Sequence, residues 1–250
     1  MRVRWVPRIL ALMVPLLVTA CNHATVQTQQ SYQGAALPRP EIVYVRDFVV
    51  ASGDVALDSG RVARLRRLFS GSSDSQQQQV AAQSVIDALS DSLVDEVGKM
   101  GLPAQRISAD TTIPPGQNAV VINGNITSID EGNRAKRVVI GFGAGASDVK
   151  ASIRLDYLPG TAGEAAAEQQ LAQFQANGTS GHAPGMAATA GAGAAIGAAS
   201  TATTVAASGG TQVLRETQGA TVSHDADDIG VKIADALKPI FIRQGWIAAQ

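Results

Sequence analysis

The chain is poor in the residues that announce a chemistry. One cysteine in 250 residues, Cys21, leaves no disulfide framework and no multi-cysteine metal site. Aromatic residues make up 4% and charged residues 16%, the latter well below the usual quarter of a globular chain. A basic excess is also missing. Lys+Arg of 20 against Asp+Glu of 21 gives a net charge of −1 and a pI near 6.3, which lacks the cationic footprint of a nucleic-acid binder. The apolar run at 9–18, ILALMVPLLV, contains Pro15 and is far shorter than the ~20 residues of a spanning helix. No histidine pair has H-x-x-x-H spacing, and no serine sits in G-x-S-x-G. What the chain does have is apolar mass, 45% of residues, enough to bury a core, and 25 glycines, several clustered in small-residue stretches.

The N-terminus reads as an address. Arg2, Arg4 and Arg8 with no acid precede the apolar run, and Thr19 and Ala20 then precede Cys21. A basic start, a short apolar stretch and small residues before a cut are the parts of an export signal. Val18-Thr19-Ala20-Cys21 looks like a bacterial lipobox, in which the Cys21 thiol receives a diacylglyceryl group before cleavage and its freed amine a further acyl chain. Two or more acyl chains hold a protein stably on a bilayer, at ~0.8 kcal/mol per buried CH₂. Cleavage removes three arginines and leaves a net charge of −4. Asn22 rather than Asp follows Cys21, which by resemblance to enteric lipoproteins directs the chain to the outer membrane, on its periplasmic face.

Composition divides the remainder. Residues 1–20 are a lipoprotein signal peptide and 21–40, polar and Pro-terminated, a flexible tether. Residues 41–182 and 211–250 form a single α/β domain, interrupted at 183–210 by a Gly/Ala-rich insertion with few large side chains. Within the domain, 42–50 is a β-branched strand. Ala82, Ile86, Leu89, Leu93, Val97 and Met100 form the apolar stripe of a helix over 80–100, closed by Gly101 and Pro103. A short strand near 104–107, a turn at 114–116, and strands at 119–129 and 148–157 follow. In 148–157, Val149, Ala151, Ile153, Leu155 and Tyr157 alternate against polar residues, so one sheet face is covered and one is wet. A weaker strand at 168–178 precedes a C-terminal helix starting near 223–228, which Pro239 is expected to kink or restart. The fold class is α/β (α+β): a two-layer sandwich with a mixed, largely antiparallel sheet and two packing helices.

Candidate chemistry is thin. The Gly-rich letters at 141–146 fit G-x-G-x-x-[G/A], but a period-2 strand follows where a dinucleotide site needs a helix. Asp225, Asp227 and Gly230 match part of a calcium loop, yet Ile229 and Ala236 occupy two ligand positions; a cap by Ser223 or Asp225 on an acidic first turn is the better reading. The segment 61–69, RVARLRRLF, is a short peripheral helix with solvated arginines, or else a basic amphipathic contact with anionic lipid or a partner. Gly193 and Gly197 have the spacing that lets helices pack closely, although Ala and Gly supply little transfer free energy for membrane entry.

Three stretches carry a resemblance to a known family: 81–107, 120–155 and the closing helix up to Gly245-Trp246, with GFGAGASDV (141–149) the most specific piece. On these the chain resembles a bacterial lipoprotein family known as domain of unknown function 4410. The resemblance implies an exported, lipid-anchored α/β domain and brings no catalytic residue. The expected function is a non-enzymatic interaction or accessory module of the cell envelope, anchored to the membrane at Cys21, with an envelope protein as partner, no nucleic acid, no metal and no cofactor. The alternative is a membrane-active or oligomer-forming lipoprotein that uses the Gly/Ala-rich segment.

Overall fold

In a computed structural model, the described residues are 23–50, 54–61, 65, 73–133, 136, 140, 144–160, 168–180 and 221–249. The signal segment, Cys21, most of 61–69, Gly193, Gly197 and the whole 183–210 insertion lie outside them.

Two helices and one mixed sheet make up the described chain. In order they are β1 (His23–Ser31), β2 (Ile42–Arg46), β3 (Val49–Val50), β4 (Val55–Ala56), α1 (Asp74–Lys99), β5 (Ala104–Ile107), β6 (Ala119–Asp130), β7 (Asp148–Leu158), β8 (Gln169–Thr179) and α2 (Thr221–Arg243). Across the sheet the order is β1-β8-β7-β6-β2-β5. The long strands β1, β8, β7 and β6 are antiparallel neighbours. β2, β3 and β4 are pieces of one lane that runs parallel to β6. β2 also pairs in parallel with β5, and such a pair needs a crossover, which α1 supplies. The α+β class expected from sequence is the class observed.

The strict alternation of β7 has its physical counterpart. Val149, Ala151, Ile153, Leu155 and Tyr157 all enter one core beneath the two helices. β6 starts the same way with Val120, Ile122 and Ile126, and then a bulge between Ile126 and Ser128 turns Ile129 inward as well.

Four expectations are corrected. The supposed tether contributes β1, whose nine residues pair with β8 from His23↔Thr179 to Ser31↔Ala172. Polar side chains are compatible with a strand at a sheet edge, where only Ala24 and Val26 lean on the core. The first helix begins six residues earlier than expected, because Ser73 forms a capping box: its Oγ accepts from Gln76 N at 3.2 Å and the Gln76 side chain accepts from Ser73 N at 3.0 Å. Its buried stripe is Ala81, Val85, Leu89, Leu93 and Val97, with Ala82, Ile86 and Met100 only partly covered. Finally, α2 starts at Thr221 and runs through Pro239 without a restart. Pro239 is exposed, so the freed carbonyl one turn earlier faces water, and burial of Ile240 and Phe241 carries the helix past it.

Candidate functional site

The helices cover one sheet face. On the other, the loop after β5 folds back over the strands, and Tyr44, Ile107 and Ala119 form a second small apolar cluster with Ile113 and Leu158 at its edge. Beside that cluster lies an open groove of about 410 Å³. Its floor is Val121 and Asn123 of β6 with Arg154 and Leu158 of β7; its walls are Arg46, the 109–113 loop and Glu168.

The polar groups of the groove form a connected web. Asp156, expected on a wet face, is only 1% exposed. Its Oδ2 accepts from Arg154 Nε at 2.6 Å and from Asn123 Nδ2 at 3.0 Å. Arg154 Nη2 donates to Glu168 Oε1 at 3.0 Å. Partial burial, reinforced by the charge of Asp156, raises the Glu168 carboxyl above its ordinary value despite the two nearby arginines. Arg46 holds the wall: Nη1 and Nη2 donate to the carbonyls of Ala109 and Thr111, each at 3.2 Å. Its Nε is buried without a partner among the described residues. The groove therefore presents two guanidinium groups, two carboxylates and the Thr111 and Thr112 hydroxyls beside the apolar side chains of Ile113, Val121 and Leu158. Among the described residues its lining has no histidine, cysteine or lysine. Such a surface can hydrogen-bond and desolvate an extended segment.

The residues singled out from sequence at the start of the last helix fall elsewhere. Asp225 lies inside α2, is 1% exposed, and does not cap a helix end. Its Oδ2 accepts from Ser147 Oγ at 2.5 Å, and Ser147 Oγ lies 2.5 Å from Ser180 Oγ. This buried cluster ties the end of the Gly-rich block, the end of β8 and α2 together. His224, Asp227 and Asp228 bring three ligand-type atoms within 4.8 Å of one another at the surface, a grouping that depends on helical i,i+4 spacing and that no histidine pair marks in the sequence. The glycines at 141–143 lie outside the described residues, and the residues after them enter β7 rather than a helix. The arginine and glutamate of the groove were not singled out from sequence. Arg46, Arg154 and Glu168 come from three separate stretches, and only the register of β2, β6, β7 and β8 makes them neighbours.

No curated protein matches the chain. A family model matches residues 43–198, a span that runs from β2 through β8 and stops short of α2, so the closing helix lies beyond it. With well over half of the sequence matched, the chain belongs to the family described as a domain of unknown function, DUF4410.

Proposed function

We propose that this protein is a lipid-anchored component of the bacterial cell envelope, held at the outer membrane through Cys21, and that its folded body is a non-enzymatic interaction module. The observation that carries the reading is the single cysteine placed directly behind Val18-Thr19-Ala20 and a ten-residue apolar run. No helix among the described residues is long and apolar enough to cross a membrane, and in this reading acyl chains make the attachment. The module's working surface is the groove on the uncovered sheet face. Its mixture of apolar side chains with charges and hydroxyls suits a polypeptide segment of a partner, which brings backbone donors and acceptors together with apolar side chains.

Labelled palmitate supplied to cells producing the wild type or Cys21→Ser tests the anchor. The wild type should carry label and sediment with outer membranes, and the variant should lose both; an unlabelled wild type overturns the reading. A photo-crosslinking residue at Thr112 tests the groove. Reproducible adducts with one envelope protein are expected, and recovery of monomer alone under several growth conditions overturns the interaction role.

A further inference from the structure

The two edges of the sheet are built differently. β5 forms one of them and is blunted: it has four residues, starts directly after Pro103, and carries Arg106, which is ion-paired to Asp47, Asp87 and Asp91. Short length, charge and proline are the devices that keep a sheet edge from pairing with another chain. β1 forms the other edge and has none of them. Its nine residues, HATVQTQQS, include no Lys, Arg, Asp, Glu or Pro, and among the described residues the strand pairs with β8 alone. Thr25, Gln27, Thr28, Gln29 and Gln30 are exposed.

This open edge is also held in place. Its register with β8 is unbroken from His23 to Thr28, ahead of the irregularity between Thr28 and Gln30. Ala24 and Val26 lean on the core. At the far end Arg243 Nη2 donates to Ser31 Oγ at 3.1 Å, and Tyr32 N donates to the Leu171 carbonyl at 2.7 Å. A strand that adds to this edge meets backbone groups already ordered, which lowers the entropic cost of association.

We infer that β1 is a dimerisation edge and that its partner is a second copy of this chain, paired with it antiparallel. Charge selects this occupant. An edge that bears lysines repels its own image, whereas an uncharged strand offers its copy no like charge. Antiparallel pairing about a two-fold axis normal to the sheet uses the same edge twice and keeps both helix layers on one side of a continuous sheet. Matching faces then place Val26 on the axis and set Thr25 against Gln27 of the second copy. Within each copy these two residues oppose Asn177 and Gln175 of β8, so a row of hydroxyls and amides continues across the joint. Each copy has one open edge and one blunted edge, and assembly closes at two. The pairing uses neither Cys21 nor the groove, so it stands or falls apart from both.

Sedimentation velocity of the purified full-length protein in detergent, under reducing conditions that keep Cys21 from linking copies, should show a reversible monomer–dimer equilibrium and nothing larger. Combined Thr25→Lys and Gln27→Lys lines up lysines from both copies along the joint and should weaken the dimer about tenfold or more. Combined Thr25→Glu and Gln27→Glu should do the same, and mixing the lysine variant with the glutamate variant should restore a heterodimer. Gln175→Lys, exposed on the same face but one strand inward, should leave the dimer as in the wild type. Unchanged far-UV circular dichroism of the variants, together with the restored heterodimer, separates lost pairing from lost folding. Monomer at every concentration overturns the inference, and a dimer that survives both charge variants overturns the role of β1. Variants that fail to pair with each other overturn the antiparallel register, and assemblies larger than two overturn closure.

Discussion

The ring of Phe48 fills the space that a side chain at Gly124 would need. Phe48 is 2% exposed and lies between β2 and β3, so Gly124 is what lets the interrupted lane close down on β6. A methyl group at that position would meet a buried aromatic ring that has no solvent to swing into. Gly124→Ala should therefore cost about 1–3 kcal/mol, the usual range for overpacking. Urea unfolding followed by far-UV circular dichroism would measure it, and an unchanged midpoint would show that Phe48 has another rotamer available.

Arg106 joins three carboxylates from two directions. Its guanidinium reaches Asp47 at 2.5 Å and, on α1, Asp87 at 2.6 Å and Asp91 at 3.0 Å. The hydrogen bond from Arg106 holds the Asp87 carboxyl below its ordinary value. The sign follows from linkage: a depressed folded-state value gives stability that is present above the unfolded carboxylate value and is lost as pH falls through the folded one. Asp87 is about half exposed and Asp91 more so, so solvent and salt screen the pairs, and Arg106→Ala should cost only about 1 kcal/mol at neutral pH. The same variant should flatten the acid limb of a melting-temperature profile. An acid limb as steep as that of the wild type would refute the linkage.

Much of the fold was legible because β7 repeats a two-residue period without fault, and only a sheet with one covered face asks for that. The helix stripe was displaced by one position for an equally concrete reason. Ala81 and Val85 lie beside Ala82 and Ile86, which are no less apolar, so the sequence offers two adjacent stripes and the sheet selects one. β1 was hidden because HATVQTQQS owes its structure to backbone pairing with β8, and pairing leaves no mark in side-chain periodicity. The groove was hidden more completely. Nothing in the local sequence at Arg46, Arg154 or Glu168 refers to the others.

Glu168 supplies a prediction of opposite sign to that of Asp87. Burial and the charge of Asp156 raise its carboxyl in the folded protein. Across the interval from the unfolded to the folded value the native state holds more protons, so stability falls as pH rises through that interval and stays lower above it. Glu168→Gln removes this term. The variant should melt slightly higher than the wild type near pH 7 and converge with it at pH below the ordinary glutamate value. The loss of the hydrogen bond from Arg154 works against this gain, but that pair is about half exposed and contributes little. A variant less stable than the wild type at pH 7, read by scanning calorimetry, would mean that the ion pair outweighs burial.

Trp246 closes the core and holds the chain between β1 and β2. Its indole stacks on Tyr157 at 5.8 Å and tilts against Phe241 at 5.5 Å, and its Nε1 donates to the Leu37 carbonyl at 3.0 Å. Leu37 N in turn donates to Gln244 Oε1 at 2.7 Å, so Leu37 is clasped on both sides by the turn after α2. Trp246→Ala empties a buried site and frees that clasp, for about 3–5 kcal/mol. Trp246→Phe keeps most of the ring contact and loses the indole donor, so it should cost less, about 1–2 kcal/mol. The two variants also separate packing from tethering. If the Leu37 clasp holds β1 to the sheet, hydrogen exchange at β1 amides should quicken in both variants while β6 and β7 amides stay protected in Trp246→Phe. Unchanged exchange at β1 in both would mean that pairing with β8 alone secures the strand.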